Sequence, residues 1–235
     1  MSREPHQPRM TVLGLDTSTA ATSVCVQRED GEHFEVRPET AALLERPAHA
    51  RELLPRVVER MRAAGVGFAD LDSVAVGVGP GGYTGLRIGL ATARSLAHAH
   101  DLPLRPIGSL AALAAGIDAR VALPVIDARR DEVFAALHVE GEERWPPFVT
   151  GVAGLIERVA GARREGLEPP LAAGDGSLRC REALESASIA VAPPGARCHV
   201  VSAASICRLA TRVPAVAPEA VQPRYLRAPD ATPQR

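Results

Sequence analysis

Two short apolar runs that each end in an aspartate place the strongest constraint on the fold of this chain. The first runs from Met10 to Asp16, and the second runs from Val121 to Asp127. Each run is followed by a turn and then by an alternating apolar segment, a pattern typical of two paired strands. The recurrence predicts an α/β protein of two lobes that arose from a duplicated βββαβα unit.

The order of the predicted elements places one such unit in each half of the 235 residues. We predict a flexible tail over 1–9, a first lobe over 10–108, a second lobe over 109–227 and a flexible tail over 228–235. The last helix, predicted over 202–212, can pack back on the first lobe. From Val213 onward the chain is rich in proline, and we expect weak order there apart from 225–227.

Composition excludes several classes of function. All 27 basic residues are arginine, so a Walker-type phosphate loop, a Schiff base and a lysine general base are all excluded. A formal net charge of -1 and 3% aromatic residues argue against strong nucleic-acid binding by this chain alone, although they leave room for a local arginine patch. The sequence contains no membrane span and no apolar signal segment, so we expect a cytoplasmic protein.

The turn after the first strand is the first candidate for chemistry. Asp16, Thr17 and Ser18 place a carboxylate and two hydroxyls where a phosphate or a metal could be held. The matching turn of the second half begins at Asp127 and continues through Arg129 without a glycine, so its Cβ atoms block close approach of the backbone to a phosphate. We favour a structural turn left from an ancestral nucleotide site over a working ATP site.

A glycine-rich loop between a strand and a helix is the second candidate. The run contains Gly79, Pro80, Gly81, Gly82 and Thr84. It matches the dinucleotide-binding pattern weakly, because Asp101 comes before the next strand rather than at its end. We interpret the loop as a structural turn, with Thr84 placed to cap the helix that follows.

Two helical stripes in the first half are the third candidate. One stripe is apolar and belongs to a helix predicted over 47–64, where Pro55 should kink the helix or begin a second one. The other belongs to a helix predicted over 85–100 and is nearly bare of side chains, which lets a second helix approach closely. Together the stripes predict an interface with a partner or a second copy, formed by Leu53, Leu54, Val57, Val58, Met61, Gly85, Leu86, Gly89, Leu90 and Ala93.

Metal ligands are not grouped in the sequence. No histidine pair has the spacing H-x-x-x-H, and no two of the four cysteines are spaced as C-x-x-C. His49 precedes the first amphipathic stripe, where a capping or surface role is the simplest interpretation. We therefore predict no metal site and give little weight to a metallopeptidase-like activity.

Three segments together resemble a known family. They are the run from Gly14 to Thr19, the spacing of His49 from Leu53-Leu54-Pro55, and the run from Gly77 to Gly89, which reads Gly-Val-Gly-Pro-Gly-Gly-Tyr-Thr-Gly-Leu-Arg-Ile-Gly. The segment from Ile126 to Val133 and the terminal Tyr225-Leu226-Arg227 agree with it. On these motifs the chain is identified as a member of the TsaB (YeaZ-type) family.

The resemblance implies an actin/Hsp70-like (ASKHA) two-lobed fold. It also implies a role in forming threonylcarbamoyladenosine next to the anticodon of tRNAs that read ANN codons. In that family this type of chain is a non-catalytic subunit, paired with a metal-binding TsaD-type paralogue that carries H-x-x-x-H and transfers the threonylcarbamoyl group. A TsaE-type ATPase docks across the pair, and the two first-lobe helices form the pairing surface.

Our prediction is therefore a scaffold or activating subunit that pairs with the catalytic paralogue, forms a homodimer when alone, meets tRNA only indirectly and binds no cofactor by itself. The alternative is an autonomous actin-like ATPase or kinase that uses Asp16 and Thr17.

Overall fold

The computed structural model describes residues 10–227, so the predicted tails over 1–9 and 228–235 lie outside the described residues. Each half of the chain forms a mixed sheet of five strands. The strands of the first sheet are β1 (Val12–Asp16), β2 (Ser23–Gln27), β3 (His33–Val36), β4 (Ser73–Gly77) and β5 (Leu104–Ile107). Those of the second sheet are β6 (Val121–Arg129), β7 (Glu132–Val139), β8 (Glu142–Gly151), β9 (Leu171–Ala173) and β10 (Ala190–Val191).

The two sheets share one topology. The first has the order β3-β2-β1-β4-β5, and the second, read from the equivalent edge, has the order β8-β7-β6-β9-β10. The strand that ends in the aspartate run pairs antiparallel with the next strand and parallel with the strand after the first helix in both sheets. The prediction of a duplicated α/β unit is confirmed.

The helices follow the same repeat. They are α1 (His49–Ala64), α2 (Tyr83–Ala99), α3 (Ser109–Ala114), α4 (Val152–Arg164), α5 (Asp175–Arg179), α6 (Arg181–Ser186) and α7 (Ala203–Ala210). Helix α1 continues through Pro55, so the predicted alternative of a second helix starting there is wrong. Leu53, Val57 and Met61 stay buried on both sides of Pro55, because the proline lies on the exposed face and water can solvate the carbonyl that lacks its donor.

Helices α3 and α7 join the lobes. Helix α3 packs against β6 and β7 of the second sheet, and α7 packs against β1 and β2 of the first. One apolar cluster contains side chains from both sheets and both helices, including Val12, Leu110, Ile126 and Ile206. The two lobes are therefore packed against each other through a shared core.

The segment after α7, residues 213–227, returns across both lobes and is called the C-terminal strap here. Val216 pairs with Leu104 at the edge of the first sheet, and the backbone N–H of Arg224 donates to Val78 O at 2.7 Å. Arg227 then reaches the second lobe, where it lies 3.0 Å from a carboxylate oxygen of Glu132. The expectation of weak order from Val213 onward is wrong for residues 213–224, because these contacts tie the strap to both sheets. Within residues 10–227, no helix has the length and apolar character needed to cross a membrane.

Candidate functional site between the lobes

A cleft of about 890 Å³ opens between the two lobes. The first lobe contributes the β1–β2 turn, the start of α1 and the start of α2, the second lobe contributes the β6–β7 turn, and the strap closes one side. The polar, charged and aromatic residues that line the cleft include Thr19, Arg46, His49, Arg51, Tyr83, Asp127, Arg129, Asp175, Arg224 and Tyr225. This is the position at which a ligand shared by both lobes would bind.

Asp16, predicted to face a phosphate or metal, has both carboxylate oxygens bonded to its own chain. Oδ1 accepts hydrogen bonds from the N–H and the hydroxyl of Ser18, at 2.9 and 2.7 Å. Oδ2 accepts the hydroxyl of Ser109 at 3.1 Å. Asp16 is 1% exposed, and burial raises its pKa from 3.8 to about 6, against the lowering effect of these hydrogen bonds.

Gly77 makes room for this arrangement. A Cβ at position 77 would lie 1.9 Å from Oδ2 of Asp16, so any larger residue would push the carboxyl out of its place. Thr17 is also engaged within the chain, because its hydroxyl donates to Gly85 O at 2.8 Å. The predicted phosphate-binding groups of Asp16 and Thr17 are therefore directed into the first lobe, and the turn lines the cleft through Ser18, Thr19 and Ala20.

The matching turn of the second lobe is held by ion pairs. One oxygen of Asp127 accepts the backbone N–H of Arg129 at 2.8 Å, and the other lies 3.1 Å from Arg179 Nη1. Arg129, Arg130 and Asp131 have φ of 65°, 54° and 58°, a left-handed conformation that costs energy for residues with a Cβ. The turn is therefore compact and filled by side chains, without the open glycine backbone of a phosphate loop.

Asp175, at the start of α5, was not predicted as a site residue. Its Oδ1 accepts the N–H of Asp127 at 3.1 Å and that of Gly176 at 2.9 Å. Burial raises the pKa of Asp175 to about 6, and the charge of Asp127 acts in the same direction. The only signal in the sequence was its position between Gly174 and Gly176 after a short apolar run.

The glycine loop packs directly on the β1–β2 turn. A Cβ at Gly81 would lie 2.3 Å from Ser18 O, and the N–H of Gly82 donates to the same oxygen at 2.7 Å. Gly79 and Pro80 are joined by a cis peptide bond. The predicted cap at Thr84 is wrong, since α2 begins at Tyr83, with Gly82 as the N-cap residue and no side chain capping it.

Burial corrects the predicted partner surface. Both helices lie on the first sheet and contact each other, so their stripes fill the core of their own lobe. The buried members are Leu53, Val57, Met61, Gly85, Leu86, Gly89, Leu90 and Ala93. Gly85 and Gly89 leave the space that Thr17 occupies, since a Cβ at Gly89 would lie 2.2 Å from Thr17 Oγ1. Of the predicted set, Leu54 and Val58 remain accessible, at 51% and 50% exposure.

His49 is also placed differently from the prediction. It is 3% exposed, and Nδ1 lies at hydrogen-bond distance, 2.8 Å, from Thr22 Oγ1. Burial lowers its pKa, and Ala48 is the N-cap residue of α1. A surface or capping role for His49 is therefore wrong. Over residues 10–227, no group of three or more His, Cys, Asp or Glu side chains is arranged to hold a metal ion.

Comparison with known proteins identifies the family. The family model of TsaD, tRNA N6-adenosine threonylcarbamoyltransferase, matches residues 34–168. An uncharacterized protein of Mycobacterium tuberculosis is 39% identical over 161 residues, which span 65% of this chain and 72% of the relative. The tRNA threonylcarbamoyladenosine biosynthesis protein TsaB of Haemophilus influenzae is 36% identical over 129 residues, which span 53% of this chain and 52% of that protein. The structure titled YeaZ from Pseudomonas aeruginosa has a TM-score of 0.73 at 29% identity and covers 92% of this chain and 100% of that chain.

The chain belongs to the TsaB (YeaZ-type) family. The resemblance expected from the glycine loop and the first-strand turn is thereby confirmed, and so is the ASKHA-like two-lobed fold, which the repeated sheet order shows directly. In this TsaB-family chain the residues that carry the resemblance around the cleft are used for packing between the first turn and α2.

Proposed function

We propose that this TsaB-family chain is a non-catalytic subunit in the synthesis of threonylcarbamoyladenosine on tRNA. It pairs with a TsaD-type catalytic paralogue, forms a homodimer when that paralogue is absent, and presents the pair to a TsaE-type ATPase in the cytoplasm. It requires no cofactor of its own. The proposal follows from membership of the family together with the state of one side chain in the cleft.

That side chain is Asp16. A carboxylate at the end of the first strand could serve phosphoryl transfer only by reaching a metal or a water in the cleft. Here its oxygens accept hydrogen bonds from Ser18 and Ser109, and Asp16 is not among the residues that line the cleft. Turning the carboxyl toward the cleft would break these hydrogen bonds, so the arrangement favours a structural role over an ATPase or kinase role.

The pairing surface proposed here is the outer face of α1. Leu54 and Val58 are one helical turn apart and about half exposed, and the exposed Pro55 lies between them. On the opposite face of α1, Leu53, Val57 and Met61 are buried in the core of the first lobe. Apolar side chains held outward on a rigid helix, with no partner inside the lobe, fit burial against a second apolar helix.

The test of the pairing surface uses Leu54→Arg and Val58→Arg with the TsaD-type paralogue. We expect each variant to keep the melting temperature of the parent and to weaken pairing by about thirty-fold or more, the loss typical of a buried interface anchor. Leu44→Arg is the matched control, because Leu44 is an exposed apolar residue outside α1. Unchanged pairing in both α1 variants, measured by calorimetry, would refute the proposed surface.

The test of the non-catalytic role uses Asp16→Asn in the reconstituted complex. We expect full formation of threonylcarbamoyladenosine, because Asp16 is outside the cleft lining. The isolated parent chain should show no ATP turnover with magnesium. Micromolar ATP binding with turnover that Asp16→Asn abolishes would instead favour the alternative actin-like ATPase or kinase.

A further inference from the structure

The first lobe and the strap bring arginine side chains to the cleft, Arg46 and Arg51 from the first lobe and Arg224 from the strap. The guanidinium groups of Arg46, Arg51 and Arg224 line the cleft, and within residues 10–227 none of them forms an ion pair or hydrogen bond, whereas Arg56 and Arg179 are paired with carboxylates. A chain with a formal net charge of -1 therefore has a local excess of uncompensated positive charge where the first lobe and the strap border the cleft. Such a cluster attracts phosphate groups.

A pair of aromatic rings, tilted by 34° to each other, lies at the same cleft. The rings of Tyr83 on α2 and Tyr225 on the strap have centroids 5.0 Å apart, and the guanidinium carbon of Arg87 lies 4.2 Å from the centroid of Tyr83. The chain contains only these 2 tyrosines, so their meeting at one cleft is not a consequence of an aromatic-rich composition. Tyr83 is covered by Arg87 and Tyr225, while Tyr225 is 38% exposed and can accept one more planar group.

The start of α2 also favours an anionic ligand at this cleft. The first turn of α2, 17 residues long, starts at the cleft with no side chain capping it, so its N–H groups and the helix dipole favour an anion.

We propose that this cleft mouth binds single-stranded RNA, with phosphates at Arg46, Arg51 and Arg224 and a base stacked on the exposed face of Tyr225. Arginines that follow a backbone, beside an aromatic ring that stacks a base, are the usual means of binding unpaired RNA. The cleft carboxylates Asp127 and Asp175 lie on the opposite, second-lobe wall, and Asp127 is already paired with Arg179. The identity of the RNA as tRNA rests on the proposed function, and direct binding at this cleft departs from the sequence-based expectation that the chain meets tRNA only indirectly.

The experiment measures anisotropy of a fluorescent tRNA anticodon arm and of an unstructured oligoribonucleotide with the full chain at several salt concentrations. Tyr225→Ala should weaken binding about five-fold or more, the effect of losing one base stack, and Tyr225→Phe should restore it. Arg51→Ala should reduce the salt slope by about 0.7, the value for one phosphate contact with a single strand. Arg144→Ala is the control, because Arg144 is exposed on β8, outside the cleft lining.

Several results would overturn this inference. They are undetectable RNA binding by the parent chain, equal losses in Tyr225→Ala and Arg144→Ala, or displacement of the RNA by AMP at the same concentration as by the oligoribonucleotide, which would indicate a small-molecule site. Loss of pairing with the paralogue in Tyr225→Ala, with RNA binding unchanged, would assign the surface to a protein. Pairing is measured separately with the α1 variants, so failure of RNA binding alone leaves the proposed function standing.

Discussion

Replacing Asp16 by asparagine tests whether the fold, rather than a reaction, uses this carboxyl. Asp16 has a folded-state pKa of about 6 against 3.8 in the unfolded chain. Each unit of difference corresponds to 1.36 kcal/mol, so ionised Asp16 lowers the free energy of unfolding by roughly 3 kcal/mol at neutral pH. Asparagine has nearly the same shape and carries no charge at any pH in the range.

The sign follows from proton binding in the two states. Below pH 3.8 the carboxyl is protonated in both states, and the penalty is absent. Between pH 3.8 and about 6 the unfolded chain loses its proton first, so the stability of the parent protein falls as pH rises. Above about pH 6 both states are ionised, and the penalty stays constant. The asparagine variant should therefore gain stability relative to the parent as pH rises.

Urea unfolding followed by far-ultraviolet circular dichroism, at constant ionic strength from pH 4 to 7.5, measures this difference. Changes in the hydrogen bonds to Ser18 and Ser109 contribute an offset that does not depend on pH, and other titrating groups cancel between variant and parent. Asp118→Asn is the matched control, since Asp118 is exposed and its variant should run parallel to the parent. A constant difference between Asp16→Asn and the parent across the range would refute the reasoning.

Two more predictions concern packing. Gly85→Ala should lower the free energy of unfolding by about 1–3 kcal/mol, because the new Cβ would lie 2.1 Å from Thr17 O. Gly195→Ala is the control and should change the free energy of unfolding little, because no atom lies within 4 Å of the Cβ position. Similar melting temperatures for the two variants would contradict the close approach of α2 to the first turn. A water-soluble disulfide reagent should modify Cys180 and Cys198 in the native protein and spare Cys25 and Cys207, which are fully buried. Native labelling of Cys207, read by mass spectrometry, would show that the core between β1 and α7 opens.

Local periodicity was sufficient to predict most strands and the two long first-lobe helices. A half-buried helix or strand has apolar residues at regular spacings, because only one of its faces is buried. Local periodicity did not predict elements that lack one buried and one exposed face. Helix α3 was not predicted, since its six residues from Ser109 to Ala114 are nearly all buried and show no stripe. The sequence pattern indicates a third strand of the second lobe only near Phe148 and Val149, whereas β8 runs over Glu142–Gly151 and contains prolines that an edge strand tolerates. The sequence pattern indicates one helix over 177–186, but the structure has two short helices there, α5 and α6, which are separated at Cys180.

The sequence alone determined the duplicated α/β architecture and the family, because the two strand–aspartate runs and the glycine loop are local patterns. The tertiary structure decided how the patterned residues are used. A helical stripe predicts that Val57 and Gly89 are buried, but it does not identify the residues that bury them. In the structure Val57 packs in the core of its own lobe, and Gly89 packs against Thr17. Likewise, a carboxylate after a strand can bind a metal, activate a water or accept hydrogen bonds within the fold. Asp16 accepts a hydrogen bond from Ser109, which is 93 positions away in the sequence. Contacts across such separations depend on how the sheets and helices pack, which no local pattern encodes.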